Sequence, residues 1–481
     1  MNDFRNNVKR VMAVFLVLFV ALISYIAYFQ IFEAPGIAAD SNNKRLWAKR
    51  NEIVRGTIYD RNKTPLTKGE RTGTLTQSRE YIQGDLYAHA LGYFSQKYGV
   101  SGLESSYDKE LSTYSKVGTS LRTYLKDFDM NVLKESFRTR GQEEKKVGNG
   151  VVTTLDPNIQ KVAYDALGNR KGAAVAINPK TGEVLAMVSK PTFNPNDLEL
   201  AHSVTENSPL LNRVTSGLYP PGSVFKTITT ASALENIPGI TNRIFNDTGK
   251  LIFNERQNLP NVGGVANGNI NLKTAFQLSS NFVYGTLAME LGNEKLKETA
   301  ENFGFNKKIP ADGFGITESR FPKLEKHEKG MIAQCGIGQS SILATPIQMA
   351  LTASAIANNG VMMEPKLVNE IVDMNGNTVK KIGPKKYTQA LSENDAEIVK
   401  DYMVNLVKYN SRSMYYFNGK NVAGKTGTAE NSSGKDHSWF IGFAPADNPQ
   451  IAVAVIVENG GFGAQAAAPV VGKIINTALG K

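Results

Sequence analysis

Cysteine is nearly missing from this chain: Cys335 stands alone in 481 residues, so no internal disulfide can form. Histidine is almost as scarce. His89, His202, His327 and His437 show no zinc-type spacing, and His327-Glu328 opens an H-E-x-x-H pattern only to meet Met331 where the second histidine belongs. No metal centre is expected, and no cofactor. Acidic residues are outnumbered, 44 against 55 basic ones, for a net charge of +11. That balance permits an anionic partner, but no nucleic-acid-binding signature accompanies it, so nucleic acid is not expected. Internal repeats and low-complexity tracts are also lacking, which excludes solenoids and disordered arrays.

Long apolar runs are limited to one. VMAVFLVLFVALISYIAYFQIF, residues 11–32, carries no charge, and about twenty residues at ~1.5 Å each span a ~30 Å hydrocarbon core. A cleaved signal peptide has an apolar stretch of only about 7–15 residues, although IAAD at 37–40 offers small residues for cleavage. Arg5, Lys9 and Arg10 precede the run, while Glu33 and Asp40 follow it before the next cation, Lys44. The positive flank stays inside. The expected layout is a cytoplasmic tail (1–10), one transmembrane helix (11–32) and an extracellular body.

The length suggests two or three domains. A basic, turn-rich stretch (44–67) is followed by mixed short patterns and then by QEEKKVGNG (142–150), where charge and glycine replace apolar periodicity. A linker is expected there, separating a non-catalytic module (33–148) from a larger domain (149–481). In the latter, AAVAINPKTGEVLAMVS reads as a hairpin, and HSWFIGFAP and QIAVAVIVE read as two more strands. AAAPVVGKIINTALG has helical spacing, as do SSNFVYGTLAMELG and TPIQMALTASAIANNG. The fold class is α+β, an antiparallel sheet covered by helices.

The stretch YPPGSVFKTITTASALE (219–235) places chemistry at a helix start. Pro220 and Pro221 disfavour helix before Gly222, and Val224, Ile228, Ala231 and Leu234 then recur at helical spacing. Ser223 therefore sits where free backbone N–H groups stabilise a developing negative charge. Lys226, three residues on, shares its face. A serine hydroxyl is a weak nucleophile until a base takes its proton, and a neutral lysine can serve. The bland alternative is an N-cap serine beside a solvated lysine.

S-x-x-K alone decides nothing, because it recurs at Ser41, Ser106 and Ser432. S-x-N likewise occurs at Ser41, Ser279 and Ser392, and K-T-G at Lys180 and Lys425. Context selects among them. Lys180 lies in the hairpin turn, Ser392 reads as the cap of a helix starting near Glu393, and Ser41 lies beside the membrane run. VAGKTGTAE (422–430) precedes the late strands and is expected as an inner strand of the same sheet. Ser223, Ser279 and Lys425 remain. Residues 419–426 also fit G-x-x-x-x-G-K-[ST], but no apolar strand precedes them, and Gly427 and Gly434 interrupt the stretch where a helix should open.

The ordered set Ser-Val-Phe-Lys, Ser-Ser-Asn, Lys-Thr-Gly-Thr resembles the penicillin-recognising acyl-serine transferases. RGTIYDRN (55–62), HALGYFSQKYGVSGLESSYD (89–108), TTLDPNIQ, GIGQSSILATPIQMA and SWFIGFAP extend the resemblance to class B penicillin-binding proteins over nearly the whole chain behind the apolar run. It implies the penicillin-binding transpeptidase fold behind a pedestal or dimerisation-like module. It also implies cross-linking of peptidoglycan stem peptides, with a D-Ala-D-Ala donor, an amine acceptor and covalent inhibition by β-lactams. Residue by residue, Ser223 is the nucleophile, Lys226 the base of acylation, Ser279 a proton relay, and Asn281 a holder of Lys226 and of the peptide backbone. Lys425 supplies positive charge. Thr426, Gly427 and Thr428 line the substrate strand, the two threonine hydroxyls binding a carboxylate. The backbone N–H groups of Ser223 and Thr428 form the oxyanion hole. The lipid bilayer and a membrane glycan-strand polymerase are implied partners. A D-alanine carboxypeptidase uses the same residues with water as acceptor. A β-lactamase fits less well, given the N-terminal module and Ser-Ser-Asn in place of Ser-Asp-Asn; a β-lactam sensor calls for several spans.

Overall fold

The computed structural model describes residues 2–33, 44–113, 146–255, 257–431 and 434–480. The small-residue run at 37–40, Ser41, Ser432 and the first part of the expected linker, 142–145, lie outside the described residues.

Two apolar helices meet opposite fates. Phe4–Glu33 has a mean hydropathy of 2.6 and no buried residue in its apolar window, so it is long and apolar enough to cross a membrane. Pro346–Ala357 carries no charged residue, and all twelve of its residues are buried. A helix that is apolar on every side needs apolar surroundings on every side. The first has none within the protein, and the second lies at its centre.

Around that second helix stands a five-stranded antiparallel sheet in the order Ala423–Ala429, His437–Ala444, Ile451–Val457, Gly172–Ile177, Val184–Lys190. The four strands behind the first are buried at every residue, so both faces are covered. Pro157–Leu167 and Ala467–Ala478 pack on each other and on the sheet, Pro346–Ala357 packs on its strands separately, and Glu393–Tyr409 lies along Ala423–Ala429. Burying each Val or Ile side chain is worth about 1.5–3 kcal/mol, which makes this sheet the rigid base of the molecule. Ala423–Ala429 is an edge strand, not the inner strand expected. Strand order is set by packing across the sheet, which a local pattern does not encode.

A second sheet joins the front of the chain to the back. Ile58–Tyr59 runs parallel to Gly150–Thr153, which pairs antiparallel with Val368–Val372 and through it with Thr378–Lys381. In the described part of the expected linker, Val147 bridges Val54. The basic stretch after residue 44 is a helix, Lys44–Asn51, followed by a turn into that strand. RGTIYDRN and GLESSYD meet in a buried charge cluster: Arg55 Nε donates to Glu104 Oε2 at 2.5 Å, Arg55 Nη1 to Asp108 Oδ1 at 2.6 Å, and Arg79 Nε to Glu104 Oε1 at 2.7 Å.

Candidate active site

The turn that carries Ser223 is pinned from several sides. Tyr219 and Ala344 exchange backbone hydrogen bonds at 3.0 and 2.8 Å, and the Gly222 N–H donates to Gly338 O at 2.9 Å. The Trp439 indole donates to Pro220 O at 3.0 Å, and Tyr219 Oη donates to Glu458 Oε1 at 2.8 Å. Gly222 has φ +56°, and a Cβ there would lie 2.5 Å from Thr428 O, so only glycine fits. The chain then forms a single 3₁₀ turn, Gly222–Phe225, before the α-helix Lys226–Asn236. Ser223 thus sits one turn ahead of the α-helix proper. Its half-buried Oγ has no hydrogen-bond partner among the described residues.

Thr227, Thr229 and Thr230 are poor helix formers, yet their hydroxyls all return to backbone carbonyls, of Val224 (2.8 Å), Gly336 (2.8 Å) and Lys226 (2.7 Å). The helix is buried from Lys226 through Ala233. Packing holds it, and the hydroxyls cost nothing because each is paired.

Lys226 Nζ reaches Ser279 O at 2.6 Å, Asn281 Oδ1 at 2.8 Å and Ser279 Oγ at 3.2 Å. Ser279 caps the helix Leu272–Leu278 in the left-handed region (φ 55°, ψ 41°), which costs a non-glycine residue about 1–2 kcal/mol. That conformation turns both its carbonyl and its hydroxyl toward the lysine. Ser280 then caps Asn281–Asn302, its Oγ accepting from Val283 N at 3.1 Å and donating to Asp247 Oδ2 at 2.8 Å. Asn281 holds Lys226 with its oxygen and donates through Nδ2 to Pro260 O at 2.8 Å.

From the edge strand, Lys425 Nζ donates to the same Ser279 Oγ at 3.0 Å and to Thr426 O at 2.9 Å. Gly427 shares the Lys425 side of the strand by the two-residue period. A Cβ there would crowd Val224 Cγ1 at 2.9 Å and Pro221 O at 3.1 Å, so this glycine lets the Ser223 turn seat against the strand. Thr426 and Thr428 alternate with them and are half-buried. The outer backbone edge of this strand has no partner strand among the described residues.

Both lysines are 0% exposed, and every acceptor they reach is a neutral oxygen. Burial pushes the Lys226 pKa well below the ordinary lysine value, the neighbouring positive Lys425 pushes it further, and Asp247 opposes them in part. Burial alone brings Lys425 down to about 7. A neutral Lys226 amine keeps two N–H donors for its two shortest contacts and leaves a lone pair. It is therefore equipped to take a proton near neutral pH.

The competing motif copies go elsewhere. Ser392 Oγ accepts from Asp395 N at 3.0 Å as a helix cap, and Lys180 Nζ donates to Asn448 Oδ1 at 2.7 Å in the hairpin turn. Ser106 ends a short helix on the segment that carries Glu104. Residues 419–426 lead into a strand with no helix directly after it, unlike a phosphate loop. Cys335 is buried, and burial pushes its thiol up to about 12, so it is packing rather than nucleophile. Three neighbours of the site carry no motif of their own: Asp247, Tyr284, whose ring lies 5.3 Å from Lys226 Nζ, and the Trp439 indole donor. For Trp439 a signal existed, since a buried tryptophan N–H needs an acceptor.

Residues 172–476 match the family described as "Penicillin binding protein transpeptidase domain", and residues 55–126 match "Penicillin binding protein A dimerisation domain". The chain is 32% identical to the peptidoglycan D,D-transpeptidase PbpA of Mycolicibacterium smegmatis, over 95% of its own length and 94% of the relative's. It is 30% identical to the peptidoglycan D,D-transpeptidase MrdA of Acinetobacter baumannii, over 81% of its own length and 64% of that protein's. Among solved structures, the D,D-transpeptidase domain from Eggerthella lenta superposes with a TM-score of 0.77 at 34% identity, covering 89% of this chain and 99% of that one. The imipenem acyl-enzyme complex of penicillin-binding protein A from M. tuberculosis superposes with a TM-score of 0.78 at 30% identity, covering 90% of this chain and all of that one. Fold, motif geometry and relatives agree: this chain belongs to the class B penicillin-binding proteins, the transpeptidase family.

Proposed function

We propose that the chain is a peptidoglycan D,D-transpeptidase working through an acyl ester on Ser223. Ser223 Oγ attacks the carbonyl carbon between the two D-alanines of a stem peptide, and its proton passes to Lys226. The C–N bond breaks, Ser279 relays a proton to the leaving amine, and D-alanine departs. An acceptor amine from a neighbouring stem then attacks the ester, forms the cross-linking amide and restores the serine hydroxyl. The N–H groups of Ser223 and Thr428 hold the oxyanion, the largest electrostatic contribution expected in acyl transfer.

Lys425, poised near neutrality by burial, takes up full positive charge when a substrate carboxylate binds beside it, because an opposite charge favours the protonated form. Thr426 and Thr428 hydroxyls share that carboxylate, and Gly427 keeps the strand open to the peptide. β-Lactams present the same carboxylate and an acylating carbonyl, so they capture the same serine.

The observation that carries the reading is the shared hydroxyl: Ser279 Oγ lies 3.2 Å from Lys226 Nζ and 3.0 Å from Lys425 Nζ. The apolar helix anchors the chain, with Arg5, Lys9 and Arg10 on the cytoplasmic side and the body outside the cell. Residues 33–148 form a non-catalytic module that serves a membrane glycan-strand polymerase, and residues 149–481 form the catalytic domain. Incubation with a D-Ala-D-Ala donor and an amine acceptor tests the reaction. Release of D-alanine with a donor–acceptor amide is expected. Hydrolysed donor without amide would make the enzyme a carboxypeptidase, and no product with intact protein would end the reading.

A further inference from the structure

Behind the Ser279 turn lies a carboxylate that the acyl-transfer chemistry does not itself require. Asp247 ends the strand Ile244–Asp247 and is 1% exposed. Its oxygens accept from Gly249 N at 2.9 Å, from Asn261 Nδ2 at 2.9 Å to each oxygen, from Asn267 Nδ2 at 2.6 Å and from Ser280 Oγ at 2.8 Å. No cation among the described residues touches it. Burial raises its pKa, and the hydrogen bonds from Asn267, Gly249, Ser280 and Asn261 outweigh that, leaving it a carboxylate at working pH.

Two of those donors lead straight to the catalytic turn. Ser280 Oγ, held by Asp247, accepts from Val283 N at 3.1 Å. Asn261, held by both carboxylate oxygens, accepts from Phe282 N through Oδ1 at 3.0 Å and donates to Val265 O at 2.8 Å. The first turn of Asn281–Asn302 is thereby fixed by groups that Asp247 orients. On that turn stands Asn281, gripping Lys226 at 2.8 Å and Pro260 O at 2.8 Å. Just before it, Ser279 holds a backbone conformation that persists only where its surroundings over-determine it.

We propose that Asp247 is a positioning residue of the acylation site, acting through Ser280 and Asn261 to hold Ser279 and Asn281 against Lys226. Among the described residues it is also the one carboxylate whose charge bears on Lys226. The other titratable groups facing that amine are Lys425 on the edge strand and Tyr284 on the helix Asn281–Asn302. Asp247 therefore does two separable things: it sets geometry through neutral relays, and it sets charge directly.

The inference rests on Lys226 being the base, and the experiment keeps the two apart. Acylation by a fluorescent penicillin is followed across pH for the wild type, Asp247→Asn, Ser280→Ala and Asn267→Ala, each alongside its thermal midpoint. Asp247→Asn keeps the shape but sets an amide against the Asn261 and Asn267 amides. It should slow acylation about tenfold to a hundredfold, the scale of a small misplacement of reacting groups. It should also move the acid limb of the profile to lower pH, because the opposite charge near Lys226 is gone. Ser280→Ala should slow acylation without moving that limb. Asn267→Ala removes one donor from a half-buried position and leaves the fold intact, so it speaks even if Asp247→Asn does not fold; a severalfold slowing is expected. A lower thermal midpoint with wild-type rate and profile in the folded fraction of Asp247→Asn, or an unaltered rate in both Ser280→Ala and Asn267→Ala, overturns the proposal. Absence of labelling in the wild type would instead overturn the function itself.

Discussion

Two of the places where the protein buries charge are treated oppositely. Near the front of the chain, Arg55 and Arg79 close on Glu104, which is 0% exposed, with Asp108 completing the set. Burial works against the charge on Arg55, but Glu104 and Asp108 more than restore it, and its pKa ends above the ordinary value. Burial likewise works against Glu104, and the two arginines bring it below the usual carboxylate value. At the candidate active site, Lys226 and Lys425 face one hydroxyl and neutral carbonyls, with no carboxylate in contact among the described residues. Their protons are loosened. Here the buried charges with counterions fix structure, and the two lysines, which have none in contact, are held ready for proton transfer.

Substitution of one member of each cluster separates the two roles, and the largest effect belongs to Lys226. Lys226→Met keeps most of the volume and removes the proposed base. Acylation by penicillin should fall by about 10²–10⁴-fold, the usual worth of a positioned base. Stability to denaturant should hold or rise, because an uncompensated buried amine is gone. A parallel loss of stability and activity would break the contrast.

Glu104→Gln is the mirror experiment. Two buried guanidinium groups lose their carboxylate, and removing one partner of a buried ion pair costs about 3–5 kcal/mol. Urea unfolding should show this loss, while the acylation rate of the folded fraction stays within about twofold.

The pH dependence of stability should share its sign at the two places and differ in its window. In the unfolded chain Lys425 keeps its proton to about 10.5, and in the native protein it releases it near 7. Between those values the unfolded state binds more protons, so stability rises with pH through that window; the gain is complete above 10.5 and lost as pH falls through 7. Lys425→Met should flatten that rise in denaturation midpoints. Glu104 works at the acid end. Its folded pKa lies below 4.5, so its contribution is present above that value and is lost as pH falls through the folded pKa. Glu104→Gln should abolish that acid loss. The smallest change is expected at the partly exposed ion pairs of Arg61, which meets Glu183 at 3.4 Å and Asp156 at 3.7 Å. Arg61→Ala should cost no more than about 1 kcal/mol.

The candidate catalytic cluster was legible in the sequence because each piece carries a local signature. Ser223 and Lys226 lie one turn apart at a helix start, Ser279 and Asn281 flank another, and Lys425 precedes two unmistakable strands. The same reasoning sorted the decoys at Lys180 and Ser392. What lay beyond it was long-range. Asp247 finds its donors at positions 249, 261, 267 and 280, with no periodicity to announce them. Arg55 and Glu104 sit in two recognisable stretches, yet nothing in either says that one is the other's counterion. The edge position of Ala423–Ala429 depends on which strands pair, a property of the whole sheet. It matters chemically, because only an edge strand has backbone donors and acceptors to offer a ligand.

The central claim is that a hydroxyl at residue 223 becomes acylated in a pocket assembled from three distant parts of the chain. Peptide mapping by mass spectrometry after exposure to penicillin tests it most directly. One adduct per chain, carried by the peptide containing Ser223 and absent from Ser223→Ala, is the result this account predicts. An adduct on another residue, or undiminished labelling of Ser223→Ala, would contradict it.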